Sequence, residues 1–483
     1  MSKKSLAVNY VYNLTYQILV IAIPLITTPY LSRVLGAENI GIYSYTLSIT
    51  TYFILLGTLG IAMYGQREIA YLQNNIDKRS NAFFEILIMR FITSSISLLL
   101  FYFCFCIKGQ YQIYYKIFIL EIFANIIDIS WFFQGLEEFK KTVFRNTLVK
   151  LISIFCIFLF VKSKNDLGIY IFIYVLSNFI GNLSLWIYLP KYVSKINLKR
   201  LNICRHIKPT LGLFIPQIAV QVYTILDKTM IGLMISDKAE VGFYEQAQKI
   251  IKLLLTLATS LGTIMIPRMA NTYAKKDFTK LKKYMLNSFS FIMMLAFPLM
   301  FGIMSISYKF VPIFYGSGFE KVTLLIYILS PIIIIIGLNN IIGAQYLVPT
   351  NQQKKYTISV VCGAGVNFFL NLLLIPHFKS IGASFATVIA ELTVTCIQFY
   401  FIKQEIKFKQ ILKLSYKYFI SAVVMFLFSS IVGIFIQNEF ISIIIQIFVS
   451  IVSYTLVLIM LNDEFFIILR NMFLAKFKEK IKI

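Results

Sequence analysis

Apolar runs of about 20 residues recur along this chain of 483 residues, separated by short charged breaks. A run of that length is what an α-helix needs to cross a hydrocarbon layer about 30 Å thick. The pattern repeats about 14 times, from a first core at 7–31 to a last at 441–461, so it predicts an all-α polytopic membrane protein. Composition agrees: 58% of the residues are hydrophobic and 14% are charged, too few charges to clothe a soluble chain of this size. The net charge of +25 would suit a nucleic-acid partner only if it lay in a soluble basic domain, and it is scattered through the breaks instead. The start, "MSKKSLAVNY", runs from a basic head straight into the first span without a small-residue cleavage site, and reads as an uncleaved span.

The breaks set the orientation. With the N-terminus inside, about 33 of the 46 Lys and Arg fall on the inner side and about 9 on the outer. That bias predicts cytoplasmic N- and C-termini. The longest inner break, "PKYVSKINLKRLNICRHIKP", is the expected linker between two halves. A weak internal repeat supports the division: Gly41-x-Tyr43 aligns with Gly242-x-Tyr244, and the same offset pairs Arg67 with Arg268. Six spans per copy make the halves parallel, a transporter architecture. The expected organisation is an N-terminal lobe at 1–208, a C-terminal lobe at 209–402, and two further helices with a basic tail at 403–483.

Charged residues inside spans are costly, on the order of 3 kcal/mol each, and so need a cavity or a partner. Arg90, Lys228, Lys249 and Lys252 are the cations in question, and Asp128 and Asp227 are among the acids. Glu245, Lys249 and Lys252 fall at i, i+4 and i+7 and share one helix face. Two readings stay open: structural pairing, such as Glu245 with Lys249, or a cationic patch for a phosphate or carboxylate. Gln217, Gln221, Asn339 and Asn340 are candidates for sugar hydroxyls, or equally for neighbouring helices. Pro24, Pro29, Pro216 and Pro331 mark expected kinks. No catalytic residue, metal site or cofactor is expected: the two histidines, His206 and His377, have no nucleophile or ligand at a recognisable spacing. No phosphate-cradling loop of the ATPase type is present. Trp131, Phe132 and Phe133 are expected at the headgroup level, at the inner end of the fourth span.

Four segments carry a family resemblance: "IPLITTPYLSRVLGAENIGIYSY", "GIAMYGQREIA", "DISWFFQGLEEFKK" and "LDKTMIGLMISDKAEVGFYEQAQKI". They resemble the polysaccharide-repeat-unit (Wzx-type) flippases of the multidrug/oligosaccharidyl-lipid/polysaccharide exporter superfamily. The resemblance implies two six-helix lobes around a central cavity plus two C-terminal helices. It also implies an undecaprenyl-pyrophosphate-linked oligosaccharide as substrate, moved from the inner to the outer leaflet of the cell membrane by alternating access through a cationic lumen. Polysaccharide polymerase and chain-length machinery are further implied partners. Of the candidate residues only Asp227 and Lys228 fall within a matching block; Arg90, Lys249 and Lys252 rest on depth and face. A lipid II flippase shares the superfamily and stays open as an alternative; a multidrug antiporter or a membrane polysaccharide polymerase fits the residues less well.

Overall fold

The computed structural model describes the backbone of residues 3–194, 201–260, 262–468 and 470–471; the side chains of 3–22, 139–142, 144, 213, 215–220, 222 and 263–264 lie outside the description. Among the described residues there is no β-strand, and nine helical stretches are long and apolar enough to cross a membrane. Two of them hold a reversal. Helix α1 (Lys3–Thr58) would be about 84 Å long if straight, more than twice the bilayer, and it breaks at Gly36, whose φ is 76°. Helix α14 (Gln353–Ile402) breaks likewise at Lys379, with φ 53°. Each is therefore two crossings joined by a one-residue turn.

The remaining helices are α2 (Ile61–Tyr71), α3 (Ile76–Phe101), α4 (Gln112–Ile126), α5 (Ser130–Gly135), α6 (Phe139–Phe160), α7 (Leu167–Ser184), α8 (Ile207–Met234), α9 (Ala239–Thr259), α10 (Gly262–Ala274), α11 (Phe278–Tyr315), α12 (Lys321–Leu329), α13 (Ile332–Asn339), α15 (Phe408–Phe435) and α16 (Glu439–Met460). Several of these are broken crossings. The second crossing continues from α1 into α2, the fourth comprises α4 and α5, the eighth α9 and α10, and the tenth α12, α13 and a π-helical stretch over Asn340–Leu347. Counted so, the described residues make fourteen crossings, the all-α polytopic architecture expected from the apolar runs.

A break in a membrane helix leaves carbonyls without their i+4 partner, and hydrocarbon offers no water to replace it. Here side chains from elsewhere in the fold hydrogen-bond to carbonyls at and near the breaks. Thr93 Oγ1 donates to the Gly57 carbonyl at 2.6 Å, just before the Leu59–Gly60 break, and Ser97 Oγ to Phe53 at 2.6 Å. Below the break at 127–129, Asn182 Nδ2 donates to Ala124 at 2.8 Å and Trp186 Nε1 to Ile127 at 2.7 Å. Thr395 Oγ1 donates to Ile335 at 3.2 Å, upstream of the π-helical stretch.

Two compact units result, Met1–Gly242 and Phe243–Ile483. In the first, α2 and α5 pack closely because Gly65 and Gly135 face the partner helix: a Cβ at Gly65 would enter the Trp131 ring, and one at Gly135 would lie 2.7 Å from the Gln66 carbonyl. Trp131 is consequently 1% exposed, set against Phe83 at 5.6 Å between centroids, with Phe132 and Phe133 buried beside it. The aromatic run faces inward among the helices because two glycines open a slot for it. Helix α8 packs on α1, where Lys238 closes its C-terminal end, donating to the carbonyls of Gly232 at 2.7 Å and Ile235 at 2.8 Å. The second unit is built around α11, which α15 and α16 flank through Met293, Tyr418, Met425 and Tyr454.

The two glycines that align in the internal repeat touch. A Cβ on Gly41 would collide with the Lys238 carbonyl, and one on Gly242 with the Ala37 carbonyl. Both obstacles are backbone and have no rotamer into which to retreat. Replacing Gly41→Ala should cost about 1–3 kcal/mol, read as a lowered thermal unfolding midpoint in detergent. An unchanged midpoint would show that the contact is loose.

Candidate functional site

Two clusters of buried charge in the first unit include Arg90 and Glu85 of α3. In the first, α3 carries Arg90 and the non-helical link between α4 and α5 carries Asp128. Asp128 Oδ1 accepts the Ser130 N–H at 2.9 Å, which fixes the carboxylate at the start of α5. Its Oδ2 stands 3.7 Å from Arg90 Nη2, an ion pair too long for a direct hydrogen bond. Arg90 is 2% exposed, and its Nε and Nη1 meet no hydrogen-bond partner among the described residues. A buried guanidinium so weakly met is costly, about 1–3 kcal/mol for each unsatisfied nitrogen. The structure thus brings together two of the residues the sequence singled out.

The second cluster escaped the sequence reading. Glu85 of α3, 3% exposed, accepts the Asn202 N–H at 2.7 Å through Oε1. Its Oε2 meets Arg205 Nη2 at 2.6 Å, Arg205 Nε at 2.8 Å and His206 Nε2 at 2.7 Å. His206 Nδ1 in turn lies 2.7 Å from the Tyr64 hydroxyl of α2. The carboxylate is fully met, so the cluster latches residues 202–206 onto α2 and α3. Arg205 and His206 read as ordinary loop residues in the sequence because their partner is more than a hundred positions away.

Another buried acid, Glu121 of α4, accepts from the Asn178 amide on both oxygens, each at 3.1 Å, and has no other side-chain hydrogen-bond partner among the described residues. Beside it on α7, Tyr170 and Tyr174 pack edge-on against Tyr43 of α1 at 4.9 and 5.9 Å.

In the second unit, Lys249 Nζ lies 3.8 Å from Glu245 Oε1, so the i, i+4 pairing left open by the sequence is present. Lys249 keeps 36% of its side chain exposed and Lys252, a turn further on, is exposed. Asn339 and Asn340 turn into the helix packing. Asn339 donates to Glu391 at 3.4 Å and accepts from Gln398 at 2.7 Å, while Asn340 accepts from Gln345 at 3.0 Å. Gln398 also donates to Ser359 at 3.1 Å. These bonds surround the π-helical stretch, where a wider turn frees backbone and polar side chains must compensate. Of the other candidates, Asp227 is buried, Lys228 half-buried and Gln221 exposed; the Gln217 side chain lies outside the described residues. No group of three His, Cys, Asp or Glu able to hold a metal occurs among the described residues.

Fourteen crossings in two units, with charges buried between helices, define a polytopic membrane protein of the exporter and flippase fold. The profile described as "Polysaccharide biosynthesis protein" matches residues 6–273, more than half of the chain, and the chain belongs to that family. The profile named MatE matches residues 213–373. A protein of Escherichia coli (strain K12) named "Putative O-antigen transporter" is 26% identical over 417 residues, covering 83% of this chain and 98% of that protein. The "Probable low-salt glycan biosynthesis flippase Agl15" of Haloferax volcanii is 26% identical over 237 residues, 48% of this chain and 49% of its own length. The "Lipid II flippase MurJ" of Bacillus subtilis (strain 168) is 28% identical over 191 residues, 39% of this chain and 34% of its own. Among solved structures, the inward closed conformation of lipid II flippase MurJ superimposes with a TM-score of 0.74 at 17% identity, covering 93% of this chain and 98% of that one. An inward-facing multidrug resistance MATE transporter gives 0.61 at 12% identity, over 82% and 96%. At these identities the solved structures fix the fold.

The Arg90–Asp128 pair yields a double-mutant test. Asp128→Asn leaves the guanidinium uncompensated and should cost about 2–3 kcal/mol, less than a fully buried pair because Asp128 is partly exposed. Arg90→Met in the Asp128→Asn background should recover most of that loss in thermal unfolding. A double variant no more stable than Asp128→Asn would show that Arg90 is not the group being compensated.

Proposed function

We propose that this chain is a flippase for lipid-linked oligosaccharide, moving undecaprenyl-pyrophosphate-linked repeat units from the inner to the outer leaflet of the cell membrane for surface-polysaccharide assembly. The N- and C-termini are cytoplasmic in this reading, in keeping with the bias of Lys and Arg between the breaks. Family membership and the names of the E. coli and Haloferax relatives support the lipid-linked glycan class. The residue-level observation that carries the reading is the Lys249–Lys252 face of α9. An exposed lysine within a crossing is costly in hydrocarbon, which supports a face turned to water or a polar ligand.

The pyrophosphate would sit on that face, where charge-assisted hydrogen bonds from the ammonium groups replace the water its oxygens lose. The lipid tail stays in the bilayer, and Gln217 and Gln221 are candidate hydrogen-bond partners for the sugar hydroxyls. Arg90, Asp128, Asp227 and Lys228 are further candidates for contact with the moving head group. The halves at 1–208 and 209–402 alternate by rocking, and the helices of 403–483 lie outside that motion. Polymerase and chain-length machinery act on the exported unit. Asn339 and Asn340, committed to Glu391, Gln398 and Gln345, act as packing residues in this reading.

The test is flipping by reconstituted protein. Lys249→Ala with Lys252→Ala should lower the rate roughly tenfold or more, the worth of one charge-assisted bond to phosphate, at equal protein level. Unchanged flipping would remove the α9 face from the mechanism. In a deletion strain, complete lipid-linked repeat units should accumulate facing the cytoplasm. The similarity to the Bacillus subtilis lipid II flippase makes accumulated lipid II the outcome that would replace the glycan reading with the peptidoglycan-precursor one.

A further inference from the structure

The turns that join α2 to α3 and α10 to α11 are counterparts in the internal repeat, and they are built alike. Asn75 caps α3 by accepting the Lys78 N–H at 3.0 Å; Asp277 caps α11 by accepting the Lys280 N–H at 3.0 Å. What each turn does with its cations differs. In the first, Arg79 is spent on backbone, with Nη1 donating to Gln73 at 2.8 Å and Nη2 to Tyr192 at 2.7 Å. In the second, the turn surrounds an open pocket of about 370 Å³, lined among others by Arg268, Asn271, Lys275, Asp277, Lys280 and Tyr284.

The cations of this pocket are available. Among the described residues, the side chains of Arg268 and Lys275 have no hydrogen-bond or ion-pair partner, and both are exposed. Lys280 Nζ lies 5.9 Å from the Tyr284 ring. The one acid, Asp277, is occupied by the Lys280 N–H and the Thr279 hydroxyl at 2.9 Å. Those bonds hold its carboxyl below the usual range, so it stays charged and the lining carries three positive charges against one negative. The pocket also lies at the level where a membrane helix begins. Phe278, 61% exposed, opens the α11 crossing and stands 6.2 Å from Tyr273. Aromatic rings beside exposed cations at the start of a crossing are the surroundings of a lipid headgroup, with apolar contact for the chains and charge for the phosphate.

We propose that this pocket seats the phosphate group of an anionic membrane lipid, held by Arg268 and Lys275 with Lys280 at its edge. The site is separate from the Lys249–Lys252 face and does not depend on which glycan is moved. A free phosphate compound would share the cations without using Phe278 and Tyr273, and the experiment separates the two sources.

The full chain is purified in detergent, and its thermal unfolding is followed with added phosphatidylglycerol, phosphatidylcholine or inorganic phosphate. Phosphatidylglycerol alone should raise the midpoint, and Arg268→Gln with Lys275→Gln should weaken its apparent affinity about tenfold or more. The control is Lys282→Gln with Lys283→Gln, two exposed lysines that do not line the pocket, and it should retain the effect. Should either double variant unfold early, the lipid count retained in native mass spectrometry, with Arg268→Lys and Lys275→Arg as the charge-conserving pair, gives the same comparison. Equal loss in both double variants would mean diffuse attraction and overturn the site. Stabilisation by inorganic phosphate equal to that by phosphatidylglycerol would assign the pocket to a soluble anion instead, and no effect of phosphatidylglycerol would remove it.

Discussion

A backbone carbonyl released inside hydrocarbon has nowhere to turn except to another part of the protein, and the layout of this chain follows from that. Many crossings are interrupted, at Leu59–Gly60, at 127–129 and at Pro331 among others. The hydroxyl, amide and indole groups that meet the freed carbonyls come from helices distant in sequence. Polar residues that look out of place in apolar runs, such as Thr93, Ser97 and Asn182, therefore hold helices together. Each such bond ties the position of one broken helix to the register of another, so the breaks and the packing specify each other.

The same economy governs charge, with different outcomes in different places. Glu85 is met by four donors and works as a latch. Glu121 has one amide, and Arg90 has one distant carboxylate. The fully met group holds its segment in place, while Glu121 and Arg90 carry fewer partners than a buried charge can accept. Charge deep in the first unit is thus graded, and on α9 of the second unit Lys249 stands 3.8 Å from Glu245.

How much of this was legible in the sequence depended on range. The apolar runs announced each crossing, because length and hydropathy are local; even the short turn at Lys379 fell between two runs. Glu245 with Lys249 was visible as an i, i+4 pair. Asp128 and Arg90 could be named for their depth, but their meeting depends on the packing of α3 against the α4–α5 link. Glu85 with Arg205 and His206 is a contact across about 120 positions, and a single sequence holds no signal for it. The slot that buries Trp131 was not legible, because it depends on the absence of side chains at Gly65 and Gly135, which lie on two different helices. Asn339 and Asn340 stayed open between a ligand and a neighbouring helix, because the widened helical turn that occupies them leaves no mark on hydropathy.

The contact between Gly41 and the start of α9 bears on how such a chain can vary. Where two side chains meet, enlarging one can be answered by shrinking the other, and lineages wander through such exchanges. At Gly41 and Gly242 the opposing surface is main chain, and there is nothing to shrink. A change at either position has no second-site remedy short of moving a helix. The two positions are therefore tied to one residue type independently of each other, although they descend from one position in an unduplicated ancestor if the repeat records a duplication. Most of the two copies has been free to diverge, as the cations at their equivalent turns have done; at this crossing both copies are held at the same residue.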